Sequence, residues 1–529
     1  MELSELIGAL ARPKAFPNDP SSVEVRHTHI SAVYLAEDLV YKIKKPVDFG
    51  FLNFLAPGDR KKYCEAEVRL NSRLAPGVYL GVVPVTMEED GPAFEGKGPV
   101  IEWAVKMRRM PDEATLAHRL LSGGLSDNVF RMLGHRIAAF HETADKGPEI
   151  AVHGSYAVIA KNSGENFEQS RPQAGLTVDA GVLDRMARLN AEALVKLKPL
   201  MEARAAQGMT RDVHGDLHLD HVYYFPDLPP PGDVAVLDCV EFSDSYRCSD
   251  VIADMAFLAM DLIFHGRRDL AAVFSEAYFS TTGDDKGRAL LDFYIAYRAA
   301  VRGKVEGMQA LAVEIPPDKR AAMKRSSTAH WLICLGSLAP PAERPALLLT
   351  SGLPGSGKSR LAADLAENAG FKRIVSDVVR KELAGLKPTD SAKAAFGEGI
   401  YSPEWNERTY GECLHRASQE LFRGGRVVVD ASFREAEKRE LFTGMAEAMG
   451  VPCIVMHRSA PEEIVRERLS RRGEKSVSDA DWNISAEAAK RWEVPGAEES
   501  VRTFEIPHME DKRGALALAL GHLASAGLY

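Results

Sequence analysis

Gly352-Leu353-Pro354-Gly355-Ser356-Gly357-Lys358-Ser359 places three glycines, a lysine and a serine in the order G-x-x-x-x-G-K-[ST]. Glycines at Gly352, Gly355 and Gly357 let successive backbone N–H groups, that of Ser356 included, turn inward around phosphate oxygens. A helix beginning there adds the positive end of its dipole. Lys358 can then reach the β- and γ-phosphates of ATP, or of GTP as the alternative, and the Ser359 hydroxyl can hold Mg²⁺. Asp430 ends the apolar run Val427-Val428-Val429, the place for a carboxylate that orders the Mg²⁺ water shell, although a strand-capping Asp has the same look. Asp377 and Arg380 are three apart, hence on one helix face. A carboxylate beside a guanidinium can take a proton from a hydroxyl while the cation holds an anionic acceptor; an ordinary helix-start ion pair fits the spacing equally well. Arg466, Arg468, Arg471 and Arg472 form a basic cluster suited to arginine fingers or to a solvated helix face. Upstream, His214-Gly215-Asp216 is followed by His218, Asp220 and His221, and then by Asp238 and Glu241.

These residues need elements to hold them. Ala346 to Thr350 is short and apolar enough for a buried strand, and Arg360 to Ala366 has apolar residues at helical spacing. From there strands at 346–350, 373–376, 426–430 and 452–457 alternate with helices at 359–368, 377–384, 435–448 and 461–471. That alternation predicts a parallel sheet with helices on both faces. Before residue 339 the pattern differs. Val33 to Leu35 and Leu39 to Lys44 read as two strands, with Lys42 and Lys44 on one face. Arg60 to Leu74 reads as a helix carrying Glu65 and Glu67, and strands follow at Tyr79 to Val85 and Val100 to Met107. The chain is then mostly helical, apart from a hairpin, Val222 to Phe225 and Val234 to Leu237, that delivers Asp238.

The N-terminal order resembles that of aminoglycoside phosphotransferases and choline kinases, relatives of the protein kinases. It runs strand lysine, helix glutamate, hinge, His-Gly-Asp, hairpin, Asp, and covers roughly residues 20 to 335. The resemblance implies that Lys42 holds α- and β-phosphates with Glu65 paired to it, Lys44 and Glu67 being the close alternatives. It implies Asp216 as the proton acceptor and Asp238 as a Mg²⁺ ligand, with Glu241 as a rival. Two departures stand out. His221 occupies the position where the family has Asn as a second metal ligand, so Mn²⁺ binding, a phosphate contact or no catalytic role all fit. Thr28-His29-Ile30-Ser31 stands where a glycine-rich phosphate loop would be. The C-terminal residues resemble small P-loop kinases around the 5′-polynucleotide kinases, gluconate kinases and chloramphenicol phosphotransferases, over about residues 346 to 510. That resemblance implies Asp377 as base, Arg380 on the acceptor, and Arg472 as a lid arginine with Arg468 beside it. The combination resembles bacterial proteins in which an aminoglycoside phosphotransferase is fused to an ATP-binding kinase.

The expected architecture is an α+β, bilobal protein-kinase-like domain at 1–338 (lobes at about 20–112 and 113–338) and an α/β P-loop domain at 346–529. The segment 339–345, Ala-Pro-Pro-Ala-Glu-Arg-Pro, makes a stiff linker. A net charge of −9 over 529 residues disfavours general nucleic-acid binding. The six cysteines never form C-x-x-C, which suits a reducing cytoplasm without a zinc or disulfide framework. No basic leader and no apolar run of membrane-spanning length is visible, so no membrane partner is expected. The leading expectation is a cytoplasmic enzyme with two ATP sites, each phosphorylating a hydroxyl of a small-molecule acceptor. A 5′-polynucleotide kinase with an accessory lobe, and a P-loop kinase regulated by a nucleotide-sensing pseudokinase lobe, are the competing readings. The acceptors and the oligomeric state are not legible in the sequence.

Overall fold

The structure is a computed structural model that describes residues 2–48, 52–390, 397–471, 480–496, 499, 502–511 and 513–529. Packing groups the chain into two compact units. One comprises Met1–Lys161, Leu197–Leu262 and Arg268–Tyr294; the other comprises Asn162–Lys196, Ile263–Arg267 and Ile295–Tyr529.

The first unit opens with a six-stranded antiparallel sheet in the order β1-β2-β3-β6-β4-β5. Its strands are Glu24–His27 (β1), Ser31–Ala36 (β2), Leu39–Lys44 (β3), Tyr79–Glu88 (β4), Gly91–Phe94 (β5) and Val100–Arg108 (β6). Alternation along the strands feeds two separate cores. Tyr34, Tyr41, Ile43 and Phe94 pack under the N-terminal segment that contributes Leu10 and Phe16. Val40, Val105 and Met107 pack on the opposite face with Cys64 from the helix Pro57–Asn71 and with Ala235 and Leu237. Lys42 and Lys44 share the parity of Val40, so the strand turns both lysines toward that helix, as period two predicts. Beyond the sheet the unit is helical, interrupted by two short antiparallel pairs. Thr210–Asp212 (β7) pairs with Cys248–Asp250 (β10), and Val222–Tyr224 (β8) pairs with Val234–Val236 (β9).

The second unit contains a five-stranded sheet in the order β12-β13-β11-β14-β15, parallel throughout. The strands are Ala346–Ser351 (β11), Lys372–Val375 (β12), Arg426–Asp430 (β13), Cys453–Arg458 (β14) and Thr503–Ile506 (β15). Every residue of β11 and β13 is buried, the mark of a parallel sheet covered on both faces. Leu347, Leu349, Val427, Val429 and Val455 face one core, while Leu348, Val428, Ile454 and Met456 face the other. The expected doubly covered α/β domain is therefore present, with β15 and the helix Gly514–Ser525 added beyond what the alternation pattern reached.

Packing does not divide the chain at 339–345. Leu332, on the helix Pro317–Leu338, belongs to the same apolar cluster as Leu347, Val427 and Val455. Close approach explains one glycine nearby. A Cβ on Gly450, whose φ is +68°, would lie 2.7 Å from Ile333 Cγ1 and 2.8 Å from the Ala329 carbonyl.

Candidate functional site

The phosphate loop joins β11 to the helix Lys358–Ala369. Gly352 has φ +145°, and a Cβ there would sit 2.4 Å from the Arg458 carbonyl, so no other residue fits. Gly357 caps the helix with φ +102°. The Ser356 hydroxyl is buried with no hydrogen-bond partner among the described residues. Such an orphaned donor in a loop of inward-turning amides fits an oxyanion that the loop is shaped to receive. Because β13 lies directly beside β11, Asp430 is delivered to the loop. Its carboxylate accepts from the Ser359 hydroxyl at 3.1 Å and stands 4.0 Å from Lys358 Nζ. Ser359 and Asp430 offer the oxygen donors that Mg²⁺ prefers.

Two arginines that the motif does not announce complete this surround. Arg373 on β12 donates to Asp430 at 2.6 Å. Arg458, at the end of β14, is buried and donates to the carbonyl of Ile506 at 2.8 Å. Burial, with the neighbouring Arg468 charge, pushes the Arg458 guanidinium below its usual range. Arg468 itself donates to the carbonyls of Gly355 (3.2 Å) and Ser356 (2.9 Å), so it braces the loop from its own backbone. Arg466 and Arg471 pair with Glu462 and Glu467 on an exposed helix face. Arg472 lies outside the described residues.

Beside the loop is a cavity of about 180 Å³ lined by Lys358, Asp377, Arg380 and Arg434, with Tyr401, Asn406 and Tyr410 on its wall. The sequence brings Asp377 and Arg380 together on the helix Ser376–Leu383, and both reach this space. Arg380 is 5 % exposed and donates to the Ile400 carbonyl at 2.8 Å, its guanidinium 5.0 Å from the centre of the Tyr401 ring. Its Nε has no partner among the described residues. Tyr401 to Gly425, which carries no recognisable acceptor motif, thus supplies a wall of the cavity through the helix Pro403–Phe422.

In the first unit the kinase-like constellation is assembled with one correction. Lys42 pairs with Glu67 at 2.8 Å and with Asp238 at 3.0 Å. Glu65, the expected partner, is on the outer face of its helix, 3.8 Å from Lys61 and 58 % exposed. Two residues along a helix rotate a side chain by roughly 200°, so Glu65 and Glu67 cannot face the same way. Lys44 lies deeper, paired with Glu67 at 2.7 Å and with Glu241. Burial opposes the charge of Lys42, but Asp238 and Glu67 outweigh it and hold its ammonium above the usual range. Burial likewise resists ionisation of Glu67, and Lys42 and Lys44 override it, so its carboxyl is lowered. Asp238 has φ +59°, a strained left-handed conformation for a non-glycine residue and of the kind that concentrates at functional sites.

His214 and Gly215 donate their backbone N–H groups to Asp254 at 3.2 and 2.8 Å, which fixes the loop that carries Asp216. Buried His214 is pushed down to about 4 by desolvation, so it stays neutral, with Nε2 on the Leu237 carbonyl at 2.9 Å. Asp216 is half-exposed and faces two imidazoles, His218 Nε2 and His221 Nδ1, each 3.7 Å from its Oδ2. Loss of water around Asp216 favours the neutral acid, yet His218 and His221 outweigh it and hold the carboxyl well below its usual range. His221 Nε2 is 3.9 Å from Asp238 Oδ2, so His221 bridges Asp216 and Asp238.

Removing Glu67 takes away the carboxylate that Lys42 and Lys44 share, leaving Lys42 to Asp238 and Lys44 to Glu241 on a buried face. Glu67→Ala is expected to cost about 3 kcal/mol in urea-induced unfolding, whereas Glu65→Ala should change stability by less than about 0.5 kcal/mol. Equal effects of the two substitutions would remove the pairing role assigned to Glu67.

Residues 347–493 match a family model described as an AAA domain. Among solved structures, the chain is similar to a choline/ethanolamine kinase family protein from Mesorhizobium loti, with 15 % identity and a TM-score of 0.39, over 64 % of this chain and 96 % of that one. It is also similar to a gluconokinase from Sinorhizobium meliloti, with 20 % identity and a TM-score of 0.26, over 35 % of this chain and 94 % of that one. The AAA-domain match falls on the part of the chain that carries the phosphate loop, the five-stranded parallel sheet and the cavity beside them. Over 473 residues the chain is 32 % identical to the uncharacterized proteins Mb2027c of Mycobacterium bovis and Rv2004c of Mycobacterium tuberculosis, covering 89 % of this chain and 91 % of each of them. With likeness over nearly the whole of both chains, it belongs to the family of these two mycobacterial proteins.

Proposed function

We propose that the chain is a two-site, ATP-dependent phosphotransferase in which each site passes a phosphoryl group to a hydroxyl of a small-molecule acceptor. The sites lie on either side of residues 339–345. The observation that carries the reading is the convergence of Lys358, Asp377 and Arg380 on one cavity beside the phosphate loop. There Lys358 would meet the γ-phosphate, and Ser359 with Asp430 would hold Mg²⁺, which spreads the phosphate charge. Asp377 would take the proton of the acceptor hydroxyl as its oxygen bonds to phosphorus and the bond to the departing ADP breaks. Arg380 would hold the acceptor. The acidic chain favours a small molecule over a polynucleotide.

In the N-terminal site Lys42, oriented by Glu67, would bind the α- and β-phosphates. Asp216 would accept the proton, and Asp238 with His221 would hold the metal. An imidazole in that ligand set favours Mn²⁺ over Mg²⁺. His221 also supports a second reading, in which this lobe binds nucleotide without transferring phosphate and regulates the P-loop half.

Asp377→Asn tests the C-terminal assignment. Turnover of an acceptor found by screening hydroxyl compounds with radiolabelled ATP should fall about 100-fold. The KM for ATP should stay within a factor of about two, because a base acts on the acceptor. Unchanged turnover would remove Asp377 from the reaction.

A further inference from the structure

Three side chains in the N-terminal loop are closer to a transition-metal site than a kinase loop requires. Asp216, His218 and His221 each present one ligand atom, and the three atoms lie within 4.8 Å of one another. His218 Nε2 is 3.7 Å from Asp216 Oδ2. Two ligands each about 2.1 Å from a tetrahedral ion are roughly 3.4 Å apart, so this spacing closes around an ion with little movement. The imidazole rings of His218 and His221 stand 3.8 Å apart, centre to centre. His221 Nδ1 lies 2.9 Å from the backbone carbonyl of Asp216. That contact keeps its proton on Nδ1, so Nε2 is the nitrogen His221 offers to an ion, and Asp238 Oδ2, 3.9 Å from it, comes to the edge of the site. Metal-bound histidines are held in the same way, with the second ring nitrogen on a carbonyl. The cluster is half-buried on a loop pinned through Asp254 and Asp261, the latter accepting from the Leu219 N–H at 2.8 Å, so the donors are preorganised.

We infer that Asp216, His218 and His221 form a binding site for a divalent transition metal of the Zn²⁺ and Co²⁺ class, with Asp238 at its edge. Two imidazoles and one carboxylate are the donor set such ions prefer, and Mg²⁺, which wants oxygen and sheds water reluctantly, competes poorly there. This differs from a nucleotide-bridging metal on Asp238 and His221, because it draws in His218 and engages Asp216 itself. An Asp216 oxygen bound to the ion is no longer available to accept a proton, so Zn²⁺ at this site inhibits transfer by the N-terminal lobe. Binding of the metal stands independently of the kinase reading; the inhibition rests on it.

The test is a Co²⁺ titration of chelator-stripped, full-length protein followed by visible absorption. One equivalent should give a saturable d–d band that survives a large excess of Mg²⁺ and is displaced by Zn²⁺. His218→Gln and His221→Gln should each weaken the binding by at least about tenfold. Lys358→Ala, in the other half, should leave the band unchanged. Absence of a saturable band in the wild-type protein overturns the site without recourse to any variant, and so does a band indifferent to both histidine substitutions. Phosphate release in the Lys358→Ala background, with and without one equivalent of Zn²⁺, reads the consequence. Release that Zn²⁺ does not slow overturns the inhibition. Co²⁺ binding in a Lys358→Ala protein that turns over no ATP with either Mg²⁺ or Mn²⁺ upholds the site and counts against an active kinase lobe.

Discussion

Lys358→Ala should lower phosphate transfer at the C-terminal site by about 1,000-fold, the cost of removing a cation aimed at charge that develops during transfer. The fold should survive. Lys358 stands 4.0 Å from Asp430, which keeps the Ser359 hydroxyl at 3.1 Å and Arg373 at 2.6 Å. A stability change below about 0.5 kcal/mol is therefore expected. Arg373→Ala makes the contrast, because the Asp430 side chain is only 1 % exposed and loses its closest charged partner. It should destabilise the protein measurably. Rates measured in both variants, together with their urea midpoints, check the division of labour. If Lys358→Ala hydrolyses and transfers as fast as the parent, the loop is not the site of chemistry.

Asp216→Ala, made on top of Lys358→Ala, should reduce the remaining turnover by about 1,000-fold or more with either Mn²⁺ or Mg²⁺. The Lys358→Ala background silences the other site, so the residual signal belongs to the N-terminal lobe. Although Asp216 is an unusually strong acid here, held ionised by His218 and His221, that does not disqualify it. In a loose phosphoryl-transfer transition state the hydroxyl proton leaves late, and orientation of the carboxylate matters more than its basicity. Nucleotide binding, followed by fluorescence of a labelled ATP analogue, should persist. Turnover that outlasts the substitution would eliminate Asp216 as the proton acceptor. Loss of all nucleotide binding in the background protein would reject the lobe as an ATP site.

Much of the scaffold is legible because local pattern and global fold agree. Strand β3 runs over Leu39–Lys44, as its apolar content and its turn suggest, and the parallel domain follows from apolar runs separated by helical spacing. What fails is the choice between neighbours. The helix Pro57–Asn71 is polar over most of its surface, so hydrophobic periodicity does not reveal which of Glu65 and Glu67 faces the sheet. Arg373 and Arg458 reach the phosphate loop only through strand order, and a single strand does not announce its neighbour. The cavity wall from Tyr401, Asn406 and Tyr410 depends on where one helix docks, which leaves no mark in residue type. His218 is the instructive case. The motif His214-Gly215-Asp216 attracts attention to Asp216, and only the fold shows two rings closing on it.

The helix Pro317–Leu338 precedes the proline-rich segment yet helps to build the core behind the phosphate loop. A nick at 339–345 would sever the polypeptide without freeing the nucleotide-binding piece, because Leu332 would remain lodged beside Leu347 and Val427. In hereditary terms, a gene fragment starting at residue 346 would inherit the phosphate-loop motif but lose part of its own hydrophobic floor. The transplantable module is longer than the motif that identifies it, and it includes the helix Pro317–Leu338.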